Sequence, residues 1–246
     1  LKLDEPFVDV KVFKNHQFAL TTVSVMMAMM AMMGVEMMLP TYLQNVHTMS
    51  PLESGLTLLP GALMMGIMAP IAGSAYDKIG AKRLALTGFS ILAIGTVPFL
   101  FLTASTPAHF ITALYAVRMF GIAMAMMPLT AMAMSVLPPA EAPHATAANN
   151  TARQVASAVV VALLSSVTQN VISNNEPAKA LSKTNPLQYG ADYLDASMKG
   201  FHVSFAIGLG FAIVGIVVAM FLKGGAIKAA GYSNHKPVDP QMKEAE

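Results

Sequence analysis

Apolar positions in this chain neither alternate nor trace a narrow stripe. They come in long blocks separated by short polar turns. Stretches free of Asp, Glu, Lys and Arg cover 15–35, 54–76, 84–117, 119–140, 154–175 and 200–222. A bilayer-crossing helix needs about 20 predominantly apolar residues, and each block reaches that length. The third is too long for one crossing. It breaks at TASTPAH (103–109), which has turn chemistry, and its second part runs through Arg118 into the fourth block. The pattern therefore predicts six helices, near 16–40, 53–76, 83–103, 108–137, 145–171 and 200–222. The period-two signature of a membrane β-barrel is absent. Backbone exposed to lipid must satisfy its own hydrogen bonds, so helices are the expected form. The fold class is an all-α membrane protein.

Composition supports this reading. Of 246 residues, 55% are apolar and 11% charged, against about 25% charged in a soluble domain. The bilayer is the expected solvent and partner. The chain has no cysteine, so disulfides and thiolate metal sites are excluded. A net charge of +2 with scattered cations gives no basic stripe, so no nucleic-acid partner is expected. The polar start at Leu1 lacks the order of a signal peptide, and a start without Met reads as a fragment or a processed piece.

Charge placement gives the expected orientation. With both termini cytoplasmic, Lys2, Lys11, Lys14, Lys78, Lys82, Arg83, Lys223, Lys228, Lys236 and Lys243 lie inside. Lys179, Lys183 and Lys199 lie outside, so the positive-inside rule favours this topology. It gives a cytoplasmic lead-in at 1–14, a bundle at 15–222 with an external loop at 172–199, and a cytoplasmic tail at 223–246.

One carboxylate stands inside the oil. In VMMAMMAMMGVEMMLP (25–40), six methionines precede Glu36 and two follow it. Helical spacing puts Met29, Met32, Met33 and Pro40 on the Glu36 face, a soft wall suited to varied apolar shapes. An ionised side chain at the helix centre costs about 2.5–3.5 kcal/mol on insertion scales. Protonation, a cationic partner or a wet cavity would each relieve that cost. Glu36 is thus the candidate proton-coupling residue. The competing reading places it near the outer interface, snorkelling to water.

Arg118 lies about ten residues into the fourth helix, about 15 Å deep at 1.5 Å per residue. Snorkelling does not explain that depth. It is expected either to tune a carboxylate or hold an anionic substrate group, or to bind backbone carbonyls between helices. Arg153 and Gln154 sit nearer the cytoplasmic end of the fifth helix, where anchoring or an inter-helix hydrogen bond is expected, and Asn149 and Asn150 are read the same way. No GxSxG, HExxH or acid–histidine cluster is present, so no enzyme, metal or cofactor is expected.

The turn GSAYDKIGAKR (73–83) offers a helix end, an acid, a glycine turn and three cations. Asp77 is expected to pair with Lys78, Lys82 or Arg83, or to sit at the positive end of a neighbouring helix. The pattern Gly73-x-x-x-Asp77-Lys78-x-Gly80-x-Lys82-Arg83 resembles the cytoplasmic loop motif of the major facilitator superfamily, which follows the second helix of a six-helix half. MLPTYLQNVHTMSPLESGLTLLPGAL (38–63), YAVRMFGIAMAMMP (115–128) and NNTARQVASAVVVALL (149–164) narrow the match. They resemble the second half of EmrB/QacA-type 14-span drug:proton antiporters, with lincomycin-type exporters the nearest flavour.

The resemblance covers about residues 9–222. It implies one six-helix half of a transporter, with the amino-terminal half missing, in the plasma membrane of a bacterium. It also implies multidrug efflux and antibiotic resistance: drug-like amphipathic or cationic compounds leave while protons, the coupling ion, enter. Gly73, Asp77, Lys78, Gly80, Lys82 and Arg83 would form its gating loop, and Arg118, Arg153 and Gln154 its membrane-embedded polar positions. There are two departures. The arginine motif usually associated with the first half carries Gln, and Gly at the fourth place after Arg; here Gly121 is third and Gln is absent, so a proton-relay role does not simply carry over to Arg118. Ala156-Ser157 replaces the frequent Gly-Gly pair. The alternatives are a nutrient or metabolite symporter of the same superfamily, or a non-transporting membrane assembly module.

Overall fold

The computed structural model describes residues 10–138, 141–177 and 184–223. A short 3-10 turn over Val10–Lys14 leads into α1 (His16–Glu36) and α2 (Met38–Asn45). Then follow α3 (Pro51–Ile79), α4 (Ala81–Thr96) with a 3-10 extension over Val97–Phe101, α5 (Ala108–Ser135), α6 (Ala142–Asn175) and α7 (Pro186–Met220). Counting α1 with α2, and α4 with its extension, the described residues hold six helices long and apolar enough to cross a membrane.

Local chemistry sets the helix ends. Asn15 caps α1, its Oδ1 accepting from the amides of Gln17 and Phe18 at 3.0 and 3.3 Å. Ser50 and Glu53 form a reciprocal capping box at the start of α3, with Pro51 in its first turn. The discontinuity at Met37 follows from Pro40, which has no N–H to offer the carbonyl of Glu36 four residues earlier. The first span thus bends at Glu36 and runs on to Asn45, five residues past its expected end.

Two expectations are corrected. The second span runs three residues past its expected end at 76 and the third begins two residues early, so α3 and α4 are joined by Gly80 alone, with φ of +84°, a region open to glycine but strained for other residues. The segment 172–199, expected as an external loop, is mostly helix, since α6 runs to Asn175 and α7 starts at Pro186. At 34 and 35 residues these helices are about 51 and 52 Å long, well beyond a hydrocarbon core of about 30 Å. Their polar ends are thus long enough to reach beyond it, and the Tyr189 hydroxyl of α7 donates to Glu176 just past the end of α6 at 3.2 Å. The tail expected from 223 lies outside the described residues beyond Lys223.

The core forms where α1 packs against α5, α6 and α7, and α4 against α5 and α7. Phe99 meets Phe205 edge-on, and Tyr42 meets Phe201 in the same way. The hydroxyls of Thr168 on α6 and Ser204 on α7 hydrogen-bond across that interface. A second cluster at the opposite end joins Val12, Phe18, Ala133, Leu137, Ala145 and Ala148. Helix α3 leans on α5 and buries only Ser54, Gly61 and Ala72. Leu52, Leu56, Leu59, Leu63, Ile67 and Ile71 leave it with an exposed apolar side.

Candidate substrate and proton site

Glu36 ends α1 at the proline-induced bend, half-buried, with Oε2 enclosed and lacking any hydrogen-bond partner. Met29, Met32 and Met33 on the same helix are half-buried and pack against the main core.

Arg118 lies across from it on α5, with 0% exposure. Nε donates to the Thr96 hydroxyl at 2.8 Å, and Nη2 to the Ala31 carbonyl at 2.9 Å. The Thr96 hydroxyl in turn donates to the Leu92 carbonyl at 2.6 Å. The guanidinium carbon stands 5.6 Å from the centre of the Phe99 ring, within cation–π range. Nη1 has no partner. The carbonyl-binding role expected of Arg118 is therefore present, since it ties α5 to α1 and α4. Its remaining donor is free for a second role.

Tyr115, one turn before Arg118, is buried against Gly61 of α3. Glu36, Tyr115 and Arg118 lie close enough to act on one another's charge, yet no ion pair joins Glu36 to Arg118. The site is thus an acid and a base held apart in apolar surroundings, each keeping one unfilled hydrogen-bonding atom. Burying such atoms costs about 1–3 kcal/mol apiece, more when charged.

Sequence reasoning missed Tyr115, Thr96 and Phe99. Tyr115 had a signal, its place three residues before an intramembrane arginine. Thr96 and Phe99 had none, because their role depends on how α4 packs beside α5.

Arg153 and Gln154 are not drawn into this group. Arg153 is half-exposed, Gln154 is exposed, and no hydrogen bond or ion pair joins either to it. Asn149, one turn earlier, is buried with both amide atoms unpartnered. In the motif at 73–83, Gly73 stands within α3, and Asp77 and Lys78 are exposed on its last turn. The expected pairing of Asp77 does not form: no ion pair joins it to Lys78, Lys82 or Arg83. Lys82 instead donates to the Met220 carbonyl at 2.6 Å, capping the negative end of α7.

The opposite end is laced by tyrosine and histidine side chains. Tyr42 donates to the Thr103 carbonyl at 2.8 Å, and His47 Nε2 lies 3.1 Å from the Tyr42 hydroxyl. His202 Nε2 donates to the Leu102 carbonyl at 2.8 Å. Partial burial pushes the His47 imidazole below its usual range.

A polar pair inside a six-helix bundle whose spans pack by close contact describes a membrane transporter module. The Major Facilitator Superfamily model matches residues 2–161, and the chain belongs to that superfamily as a multi-pass membrane protein. It is 36% identical over 223 residues to the uncharacterized MFS-type transporter YcnB of Bacillus subtilis, covering 91% of this chain and 44% of that protein. It is 32% identical over 224 residues to the lincomycin resistance protein LmrB of Listeria innocua, covering 91% and 46%. The riboflavin transporter RibZ of Clostridioides difficile is 24% identical over 221 residues, covering 90% and 46%. The chain spans about half the length of the curated relatives it matches.

Proposed function

We propose that this chain is the carboxy-terminal six-helix half of a bacterial plasma-membrane exporter that expels drug-like amphipathic or cationic compounds in exchange for protons. The termini of the bundle face the cytoplasm, in line with the positive-inside count. The exposed apolar side of α3 would meet lipid or the amino-terminal half. The observation that carries the reading is the Glu36–Arg118 arrangement: an enclosed carboxylate oxygen without a partner, facing a buried cation it does not touch.

Glu36 can be neutral with a proton bound, or ionised and balanced by Arg118 or by a cationic substrate. Those occupancies exclude one another at one carboxylate, which is the condition for exchange. Inward movement of one proton across 100 mV releases about 2.3 kcal/mol. That shifts a two-state equilibrium only if proton and substrate prefer different states. The methionine wall accepts varied apolar bodies, and two six-helix halves would rock about the site. The match to a lincomycin resistance protein supports export.

The test uses everted vesicles carrying the complete open reading frame that encodes this chain. Substrate addition should release protons, and Glu36→Gln should abolish that release while leaving substrate binding measurable. Unchanged coupling in the variant would remove Glu36 from the mechanism.

A second reading, a metabolite transporter, is favoured by the match to a riboflavin transporter. Uptake rather than extrusion by cells expressing the complete protein would select it.

A further inference from the structure

A groove of about 610 Å³ opens between α4 and α5 at the Gly80 end of the bundle. It is lined by Ile79 at the end of α3, by Arg83, Leu84, Leu86, Thr87 and Ile91 of α4, and by Phe120 and Met124 of α5. The lining is apolar apart from Arg83 and the Thr87 hydroxyl. That hydroxyl is turned inward to its own helix, donating to the Arg83 and Leu84 carbonyls at 2.8 and 3.0 Å. From Arg83 to Ile91 the groove follows α4 for about 12 Å along the helix axis. Arg83, Thr87 and Ile91 share one helical face at spacings of four residues. One end therefore carries a cation, and the rest is an open apolar groove along the two helices.

The cationic end has a second feature. Gly80 has no side chain to cap α4, and no side-chain cap bond is made there. The first-turn amides thus lack that partner, beside an exposed guanidinium that no acceptor among the described residues holds. Lys78 is exposed one turn away and also unpaired. Asp77, the acid nearest in sequence, forms no ion pair among the described residues. Lys82 is committed to the Met220 carbonyl. An anion with a long apolar tail matches each part: Arg83 and the helix end take the negative group, and the groove takes the tail.

We propose that the α4–α5 groove is a binding site for one anionic glycerophospholipid, its phosphate held at Arg83 and an acyl chain lying along Leu84, Thr87, Ile91, Phe120 and Met124. A soluble anion would not use the apolar length. A zwitterionic lipid would bring its own cation against Arg83 and Lys78. The site is separate from Glu36 and Arg118, and it stands whether or not the exporter reading does.

The experiment measures lipids retained by the purified full-length protein, by native mass spectrometry, from vesicles of equal phosphatidylglycerol and phosphatidylethanolamine. Wild type should retain phosphatidylglycerol preferentially. Arg83→Gln should lower that preference about fivefold, the effect of one cation near an anionic surface. Thr87→Phe, which fills the channel and leaves Arg83, should lower retention of both lipids. Lys14→Gln, which removes an exposed cation outside the groove, should leave the ratio unchanged. Equal retention of the two lipids by wild type would overturn the proposal. So would an equal loss in Lys14→Gln, which would show diffuse charge attraction, or full retention in Thr87→Phe, which would show a headgroup contact without the channel.

Discussion

Gly88 and Gly121 leave no room for a side chain between α4 and α5. A Cβ on Gly121 would lie 2.8 Å from the Gly88 carbonyl oxygen, and one on Gly88 would lie 2.7 Å from that of Gly121. The obstacles are backbone atoms, which cannot swing aside. This contact gives Gly121 a role of its own: it lets the Arg118 helix approach Thr96 closely enough for a 2.8 Å hydrogen bond. Close approach at small residues is how membrane helices gain packing energy, since lipid is as apolar as leucine.

Gly121→Ala is therefore expected to destabilise the bundle by about 1–3 kcal/mol, the usual cost of overpacking, with Gly121→Val worse. Thermal unfolding of the detergent-solubilised complete protein checks this. An unchanged midpoint for the valine variant would show that the two helices separate freely.

Thr96→Val should strand the Nε donor of Arg118 in a water-free interior, costing about 1–3 kcal/mol. Arg118→Lys should not rescue function. One ammonium on a flexible stem cannot reproduce a planar fork that reaches Thr96 and the Ala31 carbonyl together. The paired measurement is unfolding temperature and substrate-driven proton release. Wild-type values in both variants would refute the tie between helices.

His47 makes stability depend on pH. Burial lowers its folded-state pKa from 6.5, so just below that pH the folded protein holds fewer protons here than the unfolded chain. Stability then rises with pH. The contribution is present above about 6.5 and is lost as pH falls through the lowered folded value. His47→Gln should flatten the slope of unfolding temperature between about pH 5 and about pH 8. An equal slope in the variant would assign the dependence elsewhere.

Lys82→Met removes the charge that caps α7. The expected cost is small, about 0.3–1 kcal/mol, and local. Amide exchange should quicken at Val218–Leu222 while the centre of α7 stays protected. Uniform exchange changes along α7 would show a packing effect instead.

Much of the fold was legible in the residue pattern because each apolar block must cross the bilayer as a self-satisfied helix. The Ser50–Glu53 box, the Gly80 turn and the Pro40 bend are likewise local, involving residues at most four apart. The error at 172–199 has a local cause too. Its Pro, Gly and Asn residues read as loop signals, but Asn185 accepts from the Gln188 amide at 3.3 Å and Pro186 opens α7, so they mark a helix start. Asp77 misled for a different reason: cations adjacent in sequence have other partners or face solvent.

The sequence by itself determined six apolar spans, an uneven placement of Lys and Arg among the segments between them, and, besides Arg153, two charged residues within those spans, Glu36 and Arg118, because burial in lipid constrains composition residue by residue. Only the tertiary structure decided what those two residues meet. Arg118 binds Thr96, 22 positions away, and Ala31, 87 positions away, while its charge reaches Glu36 without contact. Helix crossings at residues such as Gly88 and Gly121 set those distances, and a crossing is a property of two surfaces that no single stretch of chain contains.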